Sequence, residues 1–100
     1  MTGTPRKLLT IVTEAALEGL LVKDFESLGA RGYTITDARG KGSRGRRDAA
    51  WDENRNIRIE ILCDAVVAEA IARHLEATYY EHYGMVLYVG EVLVRRAEKF

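Results

Sequence analysis

Along this chain the apolar residues change period in a fixed order, and the order occurs twice. The run "KLLTIVT", Lys7 to Thr13, is β-branched and apolar enough to read as a strand buried on both faces. Leu17, Leu20, Leu21, Phe25 and Leu28 then recur at helical spacing. Thr13 offers an N-cap, Glu14 an acid in the first turn and Gly29 a C-terminal stop. "GYTITDA", Gly32 to Ala38, returns to strand composition. The second half opens with "NIRIEILC", Asn56 to Cys63, where Ile57, Ile59 and Ile61 face one way and Arg58 and Glu60 the other. Asp64 caps a helix carrying Val67, Ile71 and Leu75 at four-residue steps. That helix runs out in "TYYEHYG", with Gly84 as its stop, and Met85 to Val94 form the last strand.

Strand, helix, strand, loop, strand, helix, strand is an α+β order. Two such halves make the split βαβ, ferredoxin-like arrangement (βαββαβ), with both helices on one face of an antiparallel sheet. All four strands also supply Val, Leu, Ile or Tyr for the opposite face, so that face is expected to be covered by other subunits. One hundred residues suffice for one domain spanning 1–100, and an apolar share of 47% excludes a globally disordered chain. Association would widen the modest stability margin of a domain this small.

The remaining feature is the stretch "RGKGSRGRRDAAWDENRN", residues 39–56. Hairpin connections usually take about two to five residues, and much longer ones are generally functional or disordered. The chain is neutral overall, with fifteen basic and fifteen acidic residues. Within the stretch, six basic side chains against three acids leave +3, so the rest of the chain carries −3. A positive, glycine-rich segment on an acidic body points to a confined anion site rather than to a broad nucleic-acid surface. Gly40, Gly42 and Gly45 permit close backbone approach. Lys41, Ser43, Arg44 and Arg47 add an ammonium, a hydroxyl and guanidinium forks, a set suited to phosphate oxygens. A Walker-type loop is excluded, because Gly40-Lys41 precedes Gly42 rather than Ser or Thr, and Ile35 stands where the first glycine would be. On residues alone a solvated connector and an RNA contact stay open beside the phosphate site, although the aromatic signature of an RNA-binding sheet is missing.

The run "GYTITDARGKGSRGRR", followed by "NIRIEIL" and "YVGEVL", resembles the PII-like signalling proteins, in particular the SbtB and carboxysome-associated (CPII) branch. The likeness extends from "KLLTIVTE" to "GEVL", and "GYT…GKGSR..R" is its most specific part. It implies a ferredoxin-like homotrimer whose long connection, about 39–56, is the T-loop. It implies adenine nucleotides (AMP or ADP, with ATP and cyclic AMP as further candidates) in clefts between subunits. By the same resemblance Gly40, Lys41, Gly42, Ser43, Arg44 and Arg47 lie on the phosphate side. Tyr88, Val89, Gly90 and Glu91 form the strand edge against the adenosine, with Thr34 nearby. Bicarbonate is the implied co-ligand, and a bicarbonate transporter or a carboxysome-associated protein the implied partner through the T-loop. Two departures narrow this. The "TEYRG"-type motif of nitrogen-sensing PII proteins is missing, which argues against 2-oxoglutarate and glutamine signalling. The chain also ends at Phe100 without the cysteine-paired extension of some SbtB members.

Other residues carry less. Cys63 is the sole cysteine, so an internal disulfide is impossible, and it reads as a small buried residue. His74 and His82 lack any paired metal-ligand spacing, so no metal is expected. Trp51 suits either packing on the body or docking a partner, with Asp52 and Glu53 beside it. Tyr79, Tyr80 and Tyr83 read as packing at a helix end or subunit rim, and nothing resembles a nucleophile with its base. The N-terminus lacks the layout of a signal peptide and no stretch approaches a membrane span, so a cytoplasmic location is expected, at most peripheral to a membrane transporter or close to carboxysomes. The expectation is a non-catalytic regulatory protein that binds nucleotide and no nucleic acid. The alternatives are a ferredoxin-like RNA-binding or structural module, and a weak nucleotide phosphohydrolase.

Overall fold

A computed structural model describes residues 2–40 and 55–96 of the chain. Four strands, β1 (Thr4–Glu14), β2 (Thr34–Ala38), β3 (Asn56–Cys63) and β4 (Met85–Val94), form one sheet in the order β2-β3-β1-β4. Each neighbouring pair is antiparallel. Two helices, α1 (Glu18–Ser27) and α2 (Ala65–Tyr79), connect β1 to β2 and β3 to β4. This is the α+β arrangement expected from the repeated change of period.

The core lies between the helices and one sheet face. Leu9 and Ile11 of β1 and Ile57, Ile59 and Ile61 of β3 meet Leu17, Leu21 and Phe25 from the first helical segment and Ile71 and Leu75 from α2. Alternation in β3 does what period-2 patterning requires: the isoleucines and Cys63 are buried while Arg58 stays exposed. Asp64 caps α2 as expected, its Oδ1 accepting the Val67 N–H at 2.8 Å. Gly29 ends α1 with φ of +101°, a conformation that only glycine adopts without strain.

Three local expectations change. Thr13 is fully buried and caps nothing. Its hydroxyl donates to the Gly84 carbonyl at 2.7 Å, and a short 3-10 turn, Ala15–Leu17, precedes α1. Gly84 does not stop α2, which ends at Tyr79; it is the buried residue just before β4. Leu20, placed by spacing on the inner helical face, is 53% exposed, because the late start of α1 leaves Leu17, Leu21 and Phe25 to carry that face. β1 is also longer than expected, starting at Thr4, and β2 is shorter, starting at Thr34.

Among the described residues no helix lies over the second sheet face. Across it run Leu8, Thr10 and Val12 of β1, Arg58, Glu60 and Leu62 of β3, Thr34 and Thr36 of β2, and Val86, Tyr88 and Gly90 of β4. β1, read as buried on both faces, is buried at Leu9, Ile11 and Thr13 on its helix side and only partly covered at Leu8 and Val12 on the far side, beside Val86 and Tyr88, which are 52% and 55% exposed.

Candidate functional site

Strand register fixes where the sequence-identified residues sit. Thr34 pairs with Glu60, Glu60 with Thr10, and Thr10 with Tyr88, so four residues from four strands form one rung across the open face. Thr34 occupies one outer strand and Tyr88 the other. With about 4.8 Å between neighbouring strands, the two are about 14 Å apart, further than one nucleoside base reaches. Within one chain, therefore, the structure does not bring Thr34 and the Tyr88–Glu91 segment together.

Pleating divides that segment as well. Tyr88 and Gly90 belong to the open face, and Val89 and Glu91 to the other, since successive strand residues alternate. Glu91 stands opposite Lys7, with their charged atoms 3.6 Å apart. The Glu91 side chain is exposed and that of Lys7 partly so, so the pair contributes little to stability and leaves the carboxylate accessible. What the four residues share is an outer strand, whose far edge pairs with no other strand among the described residues and so offers its backbone groups to a ligand or another chain. Gly90 keeps this edge bare, with no atom within 4 Å of where its Cβ would stand.

Gly40 is exposed just beyond β2, and Lys41, Gly42, Ser43, Arg44, Arg47 and Trp51 lie outside the described residues. The points where that segment leaves and rejoins the sheet are well defined. Ala38, Asn56 and Glu14 share the terminal rung of β2, β3 and β1. Beside it, the Ala15 N–H donates to the Arg55 carbonyl at 2.7 Å. On the other flank the Gly84 N–H donates to Glu14 Oε2 at 2.8 Å, while Thr13 holds the carbonyl of the same glycine. Asn56 is buried, and its Oδ1 accepts no hydrogen bond among the described residues.

Sequence reasoning passed over three residues here. Glu60 appeared only as the polar side of an alternating strand, yet register sets it between Thr34 and Thr10, where its carboxylate borders the open face. Glu14 was read as a first-turn acid and Gly84 as a helix stop. The pairing that joins them spans seventy positions, and no local pattern announces it. Among the described residues no cluster of histidine, cysteine and carboxylate side chains could hold a metal ion. Cys63 is buried, and burial followed by the nearby Asp64 charge pushes its thiol above the ordinary range, which disfavours the reactive thiolate. No described helix is long and apolar enough to cross a membrane.

Comparison with known proteins agrees with this fold. The family model of nitrogen regulatory protein P-II matches residues 6–99. A PII-like signalling protein from Thermus thermophilus is 48% identical, with 100% of this chain and 99% of that one covered at a TM-score of 0.84. The CPII protein of Thiomonas intermedia, solved bound to ADP and bicarbonate, is 26% identical, with 97% and 95% covered at a TM-score of 0.83. The same protein bound to ADP, AMP and bicarbonate gives 25% identity, 97% and 94% coverage and a TM-score of 0.83.

Proposed function

The chain belongs to the nitrogen regulatory protein P-II family, and on that premise we propose that it is a non-catalytic signalling protein that binds an adenine nucleotide, ADP or AMP, together with bicarbonate. The observation that carries this reading is the likeness, over 97% of the chain, to a CPII protein solved with ADP and bicarbonate. The basic, glycine-rich segment of this chain supplies groups that such anions require. Phosphate oxygens take bidentate, charge-assisted bonds from Arg44 and Arg47, a point charge from Lys41, and N–H groups from Gly40, Gly42 and Ser43. Bicarbonate, a small planar anion, suits the same donors.

The proposed site is shared between copies of the chain. Thr34 and the root of the basic segment lie at the β2 edge, and Tyr88–Glu91 at the β4 edge, on opposite sides of one sheet. A neighbouring copy that sets its β4 edge against the β2 edge of the first unites them. Three copies related by a closed rotation satisfy every edge equally and turn the open faces, with Leu8, Val12, Leu62, Val86 and Tyr88, towards a common centre. Glu60 then borders the ligand from the same rung as Thr34, as an acceptor for an exocyclic amine or a ribose hydroxyl.

In this reading the signal is a change in the surface offered by residues 41–54 when anionic oxygens occupy the segment's root, which shifts affinity for a partner protein. A bicarbonate transporter or a carboxysome-associated protein, met in the cytoplasm, fits the co-ligand. The deciding experiment is titration calorimetry of the full chain with AMP, ADP, ATP and cyclic AMP, each with and without bicarbonate, alongside phosphate release from ADP and ATP. ADP or AMP binding with no turnover supports the proposal. Turnover, or no binding of any nucleotide, sinks it.

A further inference from the structure

In each copy the lead-in to β4 and the point where the basic segment rejoins the sheet lie at one end of the sheet, where three consecutive residues join them; in the shared-site proposal they serve two neighbouring sites. Gly84 is buried and lies one residue beyond the last β1–β4 pair, Thr13 with Met85, so the ladder supplies no partner for its backbone groups. A buried backbone N–H or C=O must nevertheless be paired. Thr13 pairs the carbonyl through its hydroxyl at 2.7 Å, and Glu14 pairs the N–H through Oε2 at 2.8 Å. Side chains of consecutive strand residues leave on opposite faces, so the glycine is gripped from both sides. The next residue, Ala15, donates its N–H to Arg55, where the basic segment rejoins the sheet.

Resting on the nucleotide-binding reading, we infer that Glu14 is a positioning residue of that site: its carboxylate locks the start of β4 against the root of the basic segment. The lock matters because β4 is an outer strand with one neighbour among the described residues of its own chain. Tyr88 follows Gly84 by four residues, and a slip of one residue in β4 would carry Tyr88 and Gly90 from the open face to the helix face. A charge-assisted bond at the first residue opposes that slip, and alanine at position 14 would leave the Gly84 N–H buried without a partner.

Full-length wild type, Glu14→Ala, Glu14→Asp and Glu14→Gln are titrated with ADP by calorimetry at a temperature where each is folded by circular dichroism. Aspartate keeps the charge but falls a methylene short of the Gly84 N–H, whereas the glutamine carbonyl still reaches it. Expected are affinities about tenfold weaker for Glu14→Ala and Glu14→Asp, with Glu14→Gln within about threefold of wild type. Lowered melting temperatures with unchanged ADP affinity in Glu14→Ala and Glu14→Asp would overturn the inference and leave the nucleotide reading standing. Failure of wild type itself to bind ADP overturns that reading, and the inference with it.

Discussion

Tyr79 donates its phenolic proton to Asp24 Oδ2 across 2.5 Å, and that bond ties the last residue of α2 to α1. Tyr79 is buried, and Asp24 also lies 3.2 Å from His74 Nε2. Contact at that separation without hydrogen-bond alignment leaves His74 Nε2 unpaired although it is close to a carboxylate. Replacing Tyr79 with Phe removes the donor, keeps the ring contacts with His74 and Tyr83, and deprives Asp24 of one partner. The expected cost is about 1–2 kcal/mol, read as a lower urea midpoint at unchanged slope at pH 7. An unchanged midpoint would show that the bond adds nothing net.

The same bond makes stability depend on alkaline pH. Burial first, and then the bond to Asp24, push the Tyr79 hydroxyl from its ordinary 10 up to about 12. The folded protein thus holds this proton more tightly than the unfolded chain does. The associated stabilisation is complete below pH 10 and is withdrawn as pH rises through about 12. Urea titrations of wild type and Tyr79→Phe across this window should converge as pH rises. Parallel curves would show that Tyr79 ionises alike in both states.

Gly29→Ala isolates a backbone effect. The φ of +101° is strained for any L side chain, while an added Cβ would meet only Val67 Cγ2 at 3.6 Å, an ordinary contact. Loss of about 1–2 kcal/mol is expected from conformation alone, visible as a lower melting temperature. Gly19→Ala is the matched control, since nothing lies within 4 Å of its Cβ site and it sits inside α1, where alanine should stabilise.

Local rules carried most of the fold. β3 falls on Asn56–Cys63, where alternation in "NIRIEILC" places it, and Asp64 caps the helix that its position announces. Failures cluster where a long-range partner outbid a local one. Thr13 has the chemistry of an N-cap, but its hydroxyl is taken by Gly84, seventy-one positions away, and the turn after it tightens instead. Gly84 has the composition of a helix stop, yet it serves as the gripped lead-in to β4. The family resemblance supplied the candidate site as a set of residues, without an arrangement. Thr34 and Tyr88 entered through that resemblance, and their placement on opposite edges follows from strand order, which no spacing along the chain encodes.

The uncovered sheet face should govern assembly. Val86 shares its rung with Val12 and Arg58 and is half exposed. An aspartate there, two strands away from Arg58 and opposite the apolar Val12, would bury a charge without a directly paired cation in any interface formed over the face, at a cost of about 3–5 kcal/mol. Light scattering of wild type should give a mass near three chains, and Val86→Asp a mass near one. A wild-type monomer would leave the β2 and β4 edges separate and the shared-site proposal without its geometry.

Arg44 and Arg47 should matter for ligand and not for folding. Arginine side chains are seldom core residues, so Arg44→Ala and Arg47→Ala are expected to melt with wild type when no nucleotide is present. Each charge-assisted bond to phosphate contributes about 1.5–3 kcal/mol, which corresponds to roughly ten- to a hundredfold in ADP affinity. Because an exposed ionic contact is screened by salt, the gap between wild type and either variant should narrow as ionic strength rises. Calorimetry at low and high salt separates this from the Glu14 variants, which remove a positioning bond made within the protein and should lose affinity by a similar factor at both. Equal ADP affinity of wild type and both arginine variants would move the phosphate away from this segment.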